Sequence, residues 1–210
     1  MKTLTVGGRR VALHGDETAP VLLLQPVMRE ETVIPGPFRL AAFEVEDWNR
    51  ELSPWPAPPV FGREGFGEGA ADTLTYVTDC LLPALAPADT VVLGGYSLAG
   101  LFALWAGCLT DRFAAVAAVS PSVWFPGWLD WAAAHPMRAG RVYLSLGDRE
   151  EKTRNPVMAT VGEAIRATDR LLTHCDHLLE WNPGGHFDHP AERMARGFEW
   201  AAKGAYAKPL

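Results

Sequence analysis

Ser97 stands between Gly95 and the pair Ala99-Gly100 in the stretch VVLGGYSLAGLFALW, residues 91–105. An apolar run enters this turn and a run of helical character leaves it. Small residues on either side let strand and helix approach closely, so the hydroxyl at the apex is presented for nucleophilic attack. The alternative is that Ser97 only caps the helix that follows. A serine hydroxyl is a weak nucleophile until a base takes its proton, so the first reading requires a histidine. WNPGGHFDHP, residues 181–190, offers His186 and His189. His186 is preferred because Gly184-Gly185 lets its backbone turn tightly toward the serine; His189 reads as a surface residue at a helix start. The imidazole in turn needs an acid that fixes its tautomer and stabilises its charged form. SLGDREEKTRN, residues 145–155, holds Asp148, Glu150 and Glu151. Glu150, three residues beyond Gly147, is preferred to Asp148, which could be satisfied by nearby backbone amides. A Ser–His pair without a strong acid is a third alternative.

Three distant segments must be brought together for this chemistry, and the pattern of the chain says how. RRVALHG, APVLLLQPV and FRLAAFEVE read as strands, the second suited to an interior position. Residues 71–86 have helical spacing and stop at Pro87. TVVLGG is a strand, LAGLFALWAGCL a helix, FAAVAAVS a strand and PGWLDWAAAH a short helix. RVYLSLG is a strand, followed by a helix over 156–175 that Asn155-Pro156 opens as a cap and first-turn proline. HLLEW is the last strand and AERMARGFEWAAKGA the last helix. Strands that alternate with helices imply a mostly parallel sheet covered on both faces, with chemistry at the carboxyl ends of the strands. Ser97, His186 and the three carboxylates all fall at such ends. No repeat and no polar linker divides the chain, so residues 1–210 are expected to form one α/β domain.

A developing oxyanion needs donors near the serine. The amide of Leu98, directly after the nucleophile, is one candidate. The second would come from the loop QPVMREE; Pro26 has no N–H, which leaves Val27, and an HGGG form of this loop is absent. The irregular segment 47–70 is too long for a simple connector, and its aromatic residues need something to pack on. Trp48 and Trp55 in it, and Trp124 after a strand end, either pin loops to the domain or line a substrate pocket. Only about twenty residues separate FAAVAAVS from RVYLSLG, too few for a helical lid. A shallow, open site for a compact or aromatic substrate is expected, with little apolar surface to sequester a long chain.

Bulk properties narrow the partners. The formal charge is −6, from 19 basic and 25 acidic residues, which argues against a nucleic acid or an anionic membrane surface. Cys80, Cys108 and Cys175 are odd in number and far apart, and read as buried thiols and not as disulfides or zinc ligands. The HFDH run lacks a second cluster to complete a coordination sphere, so no metal and no cofactor is expected. The segment MKTLTVGGRRVALHG has no apolar run of signal-peptide type, and no stretch of about 18 apolar residues occurs. A cytoplasmic enzyme or binding protein is the expectation; the sequence leaves its oligomeric state open.

GGYSLAGLFALWA, AAVSPSVWFPGW, LSLGDREEKTRN and NPGGHF together resemble an esterase group of α/β-hydrolases. That group includes enterochelin (siderophore) esterases, the esterase D or S-formylglutathione hydrolase type, and mycolyl transferases. The resemblance covers roughly residues 70–200 in order and is strongest at the serine turn and the SPS-W segment. It implies an α/β-hydrolase fold and a serine hydrolase of small-molecule esters, with nucleophile Ser97 and base His186. It also implies that a Ser–His dyad is admissible, as in some siderophore esterases of the group. A hydrolase-fold binding protein without turnover, and an acyltransferase or thioesterase using the same residues, are the alternatives.

Overall fold

The computed structural model describes residues 1–28 and 38–203. Eight strands form one sheet: β1 (Lys2–Val6), β2 (Arg9–His14), β3 (Val21–Val27), β4 (Phe38–Glu44), β5 (Thr90–Tyr96), β6 (Ala115–Val119), β7 (Arg141–Gly147) and β8 (Asp176–Asn182). Their spatial order is β1-β2-β4-β3-β5-β6-β7-β8. The β1–β2 and β2–β4 pairs are antiparallel, and every pair from β4–β3 to β7–β8 is parallel. The helices are α1 (Trp48–Glu51), α2 (Ala70–Thr75), α3 (Leu82–Ala84), α4 (Leu98–Leu109), α5 (Trp128–Ala134), α6 (Val161–Leu171) and α7 (Pro190–Lys203).

The apolar runs are explained by burial on both faces. All seven residues of β3 are buried, yet they serve two cores. Leu22 and Leu24 join α4, α5 and α6 in one cluster. Val21 and Leu23, one residue out of phase, join Met194, Phe198, Ala201 and Ala202 of α7 in the other. Burying one such Leu or Val contributes roughly 1.5–3 kcal/mol.

Several sequence expectations shift at element ends. The helix expected over 71–86 runs as α2, a π-helical segment Tyr76–Leu81, and α3. Pro83 cannot donate to the carbonyl four residues back, and the helix ahead of it takes the wider register, with Leu82 N–H donating to Val77 O. Asn155 caps as expected, its Oδ1 accepting from the amides of Val157 and Met158. A 3-10 turn Met158–Thr160 follows, so the regular helix starts only at Val161, and it ends at Leu171. β1 is an addition: a short edge strand with little burial, joined to β2 through Gly7 and Gly8, both at positive φ. Cys108 is buried, and desolvation pushes its thiol up to about 12. Cys80 is exposed, contrary to expectation, because it lies on the outer side of the π-helical segment. The expected last helix extends past Lys203, where residues 204–205 lie outside the described residues, as do residues 29–31 of the QPVMREE loop. Among the described residues no helix is long and apolar enough to cross a membrane.

Candidate active site

β5 delivers the chain to Ser97 and α4 carries it away. Ser97 has φ 58° and ψ −121°, a conformation that costs an L-residue about 1–3 kcal/mol. The surroundings fix it. Ser97 N–H donates to Val119 O of β6 at 3.0 Å, and its carbonyl accepts from the amides of Gly100, Leu101 and Ser122. A Cβ on Gly95 would stand 2.6 Å from that of Ala99, so the first small residue is obligatory at this crossing. The Ser97 side chain makes no capping bond to α4. The capping reading is thereby excluded, and the hydroxyl is directed elsewhere.

It points to the histidine. His186 Nε2 lies 3.1 Å from Ser97 Oγ, and His186 Nδ1 lies 2.7 Å from Glu150 Oε2. The carboxylate accepts from Nδ1–H, which leaves Nε2 with a lone pair for the serine proton. Glu150 sits in a 3-10 turn directly after β7, and its other oxygen, Oε1, is held by the Ser120 hydroxyl at 2.6 Å and Gly147 N–H at 2.7 Å. Burial pushes this carboxyl up, but the hydrogen bonds from His186, Ser120 and Gly147 outweigh it. The group therefore ionises below the ordinary carboxylate value. Ser97, His186 and Glu150 form a Ser–His–Glu triad.

The competing acids and base are placed elsewhere. Asp148 is exposed and accepts from Gly184 N–H at 2.9 Å, tying the acid loop to the base loop, not to the imidazole. Glu151 turns away to Arg166 at 3.2 Å. His189 stays exposed beside Glu192. The dyad alternative falls with these observations, since His186 has a buried carboxylate partner. The two loops also meet at Gly147, where a Cβ would stand 2.5 Å from Gly184 O and 2.9 Å from Glu150 Oε1. Gly147→Ala is expected to drive them apart and lower kcat by about 100-fold or more, a misplacement of order 1 Å being enough. Steady-state kinetics, with circular dichroism to verify folding, checks it.

Leu98 is the first residue of α4, so its amide belongs to the N-terminal N–H groups that have no intrahelical acceptor. Val27 ends β3, the strand beside β5, with its carbonyl accepting from Val45 N–H. Of the three tryptophans, Trp55 pins its loop: Nε1 donates to Pro126 O at 2.8 Å and the ring packs on Phe125 and Trp131. Trp48 begins α1 and packs against the main core. Trp124 contacts Phe61, Phe66 and Phe125 and lines a groove of about 660 Å³ between residues 123–130 and α6. None of the triad residues lines that groove. Between β6 and β7 the one helix is α5, so among the described residues no large lid covers the serine.

Four residues around the triad were not singled out from the sequence. Ser122 Oγ lies 3.4 Å from Ser97 Oγ, Phe187 packs its exposed ring edge-on against His186, and Tyr96 and Arg193 lie behind the base. Arg193 carried a signal: in α7 it shares the face of Met194, Gly197, Phe198 and Ala201, all of them buried.

The sheet order, the strained serine after β5, and the acid and base after β7 and β8 together decide the architecture. The fold is that of the α/β-hydrolases. No protein-family model and no curated protein matches the sequence. Solved structures do. The siderophore hydrolase EstB of Aspergillus nidulans superposes with a TM-score of 0.73 at 17% identity, over 100% of this chain and 96% of its own. EstA of the same fungus, also a siderophore hydrolase, gives 0.71 at 14% identity, over 93% and 90%. Est1E from Butyrivibrio proteoclasticus gives 0.65 at 13% identity, over 98% and 99%. Similarity at this identity is similarity of fold. The triad geometry is this chain's own.

Proposed function

We propose that this chain hydrolyses small-molecule carboxylic esters through an acyl-enzyme on Ser97. The observation that carries the reading is the continuous hydrogen-bond path from Ser97 Oγ through both nitrogens of His186 to Glu150. As Oγ attacks the ester carbonyl carbon, His186 Nε2 takes the hydroxyl proton and Glu150 stabilises the imidazolium. The carbonyl oxygen becomes an oxyanion, facing the Leu98 amide at the start of α4 and, in this reading, the Val27 amide. The carbon–oxygen bond to the leaving group breaks as Nε2 returns the proton to the departing alcohol. Water, deprotonated by the same nitrogen, attacks the acyl carbon; the acid leaves and Ser97 recovers its proton.

Compact or aryl esters are the substrates this reading favours: α5 is the one helix between β6 and β7, and Phe187 beside the base offers a flat apolar surface to the leaving group. Siderophore esters are the substrate class that the two Aspergillus proteins suggest. An acyltransferase or thioesterase would use the same acyl-enzyme, and a thioesterase domain from the curacin biosynthetic pathway shares the fold at a TM-score of 0.55. A protein that only binds ligands needs no ordered triad, which argues against that alternative.

A fluorophosphonate probe with mass mapping is expected to label Ser97, and p-nitrophenyl esters are expected to turn over best with short acyl chains. Labelling at another residue removes the nucleophile assignment. Activity that keeps rising beyond about ten acyl carbons removes the compact-substrate reading.

A further inference from the structure

We propose that Arg193 is the positioning residue of the triad, joining the acid and the base loop into one unit from the far side of the sheet. The inference rests on the esterase reading for its kinetic test but stands on geometry.

Arg193 lies on α7, across the sheet from α4, and only 1% of it is exposed. A guanidinium in such a place must be paired and hydrogen-bonded, and here every partner lies at the carboxyl end of a strand or in the segment after it. Nη2 donates to Glu150 Oε1 at 3.1 Å and to the Ser120 hydroxyl oxygen. Nη1 donates to Tyr96 Oη at 2.9 Å and to Gly185 O at 3.4 Å. Tyr96 Oη in turn donates to the His186 carbonyl at 2.5 Å. One fork of the planar group thus holds the acid, and the other holds the base through Tyr96.

The arrangement divides the work of the two Glu150 oxygens. Oε1 receives Arg193, Ser120 and Gly147, and Oε2 is left to the imidazole alone. Without the guanidinium the carboxyl could rotate or take up a proton, and either change spoils the tautomer of His186. Arg193 Nε has no acceptor. A residue placed to satisfy the core would not leave a buried donor unmet, so its pose is dictated by the two forks. A lysine offers one nitrogen and cannot serve both. Among the described residues, Asp188 of the base loop is a further charged group acting on Tyr96, and it is held by Gly185 N–H and Arg149. The remaining titratable groups are Glu150, His186 and Tyr96 themselves.

The test uses Arg193→Lys, Arg193→Met, Tyr96→Phe and Glu150→Gln in the full chain, with p-nitrophenyl butyrate followed from about pH 4 to 9. Arg193→Met is expected to lower kcat by about 10–100-fold with KM within about threefold, and Arg193→Lys to recover part of the loss. The low-pH edge of kcat should move to higher pH, because the His186–Glu150 pair takes up a proton more readily once the buried cation beside it is removed. In the Glu150→Gln background the same substitution should cost clearly less than in wild type, since one of the two groups it positions has lost its charge and only the hold on the base loop remains. Equal losses in both backgrounds, or an unmoved pH edge, overturn the proposal. If Arg193→Met does not fold, Tyr96→Phe decides by itself: it keeps the ring and the arginine, and wild-type kcat in it overturns the base-loop half of the inference. The downfield proton resonance of His186 Nδ1–H reads the same coupling without turnover. It is expected in wild type and lost in Arg193→Met, so a wild type that hydrolyses no ester sinks the esterase reading and leaves this inference tested. Persistence of the resonance in Arg193→Met overturns it.

Discussion

Ser97→Ala is expected to remove hydrolysis of p-nitrophenyl acetate, lowering kcat by about 10⁴-fold or more. The effect is large because the hydroxyl forms the acyl bond and has no substitute within reach of His186. The hydroxyl beside it, that of Ser122, is buried, with its Oγ 3.4 Å from Ser97 Oγ. Stability should change little: alanine keeps the positive φ of 58°, and the serine side chain contributes no capping bond. His186→Ala should be as damaging, and the double mutant no worse than either single one, because the two act as one unit. His189→Ala should remain within a few-fold of wild type. Wild-type turnover in Ser97→Ala, measured beside an unchanged circular dichroism spectrum, removes the nucleophile assignment.

The second large effect is expected at Glu150. In a tight triad the loss of the acid costs about 10⁴-fold, because the histidine adopts the wrong tautomer. Glu150→Gln keeps the shape and removes the charge. The amide still meets the Gly147 and Ser120 donors, but Arg193 loses its buried anion. Asp148→Asn should cost far less, since the asparagine carbonyl can still accept from Gly184 N–H. A pH signature accompanies this. The Glu150 value is lowered on folding, so its ionised form stabilises the native state at pH above the unfolded value near about 4.3. That contribution is lost as pH falls through the lower folded value. The acid limb of Tm against pH should therefore be flatter in Glu150→Gln. Matching limbs in the two proteins, or a larger kinetic loss in Asp148→Asn, would return the acid role to another group.

The parts of this architecture that were legible in the sequence are those where one local constraint admits few residues. Interior strands such as β3 must be apolar on both faces, and the serine turn tolerates nothing larger than Gly95 and Ala99 at its crossing. Gly184, at φ 112°, advertised the histidine loop in the same way. The choice between Asp148 and Glu150 was harder, because both lie in one short loop and differ only in which way the 3-10 turn directs them. That direction depends on Ser120, Gly147 and Arg193, contacts that no local pattern encodes. β1 is not legible in the sequence because an exposed edge strand buries too little to show an apolar alternation. Trp55 and Trp124 looked alike as aromatic residues in loops, and only tertiary contacts separate the pin from the groove wall.

The two-sided sheet has a consequence for the order in which the protein is made. Among the described helices, α7 is the one whose apolar residues join the cluster on its side of the sheet. During synthesis the strands that carry Ser97 and Glu150 leave the ribosome before it does. Until residues 190–203 emerge, Val21, Leu23, Leu40 and Val92 face water, and the partly built sheet is sticky. The serine is equally unfinished at that stage, because the helix that will cover the bare face also brings the arginine behind the acid. Burial and the positioning of the acid are thus completed by the same docking event, so a nascent or α7-displaced chain is expected to be both aggregation-prone and poorly active.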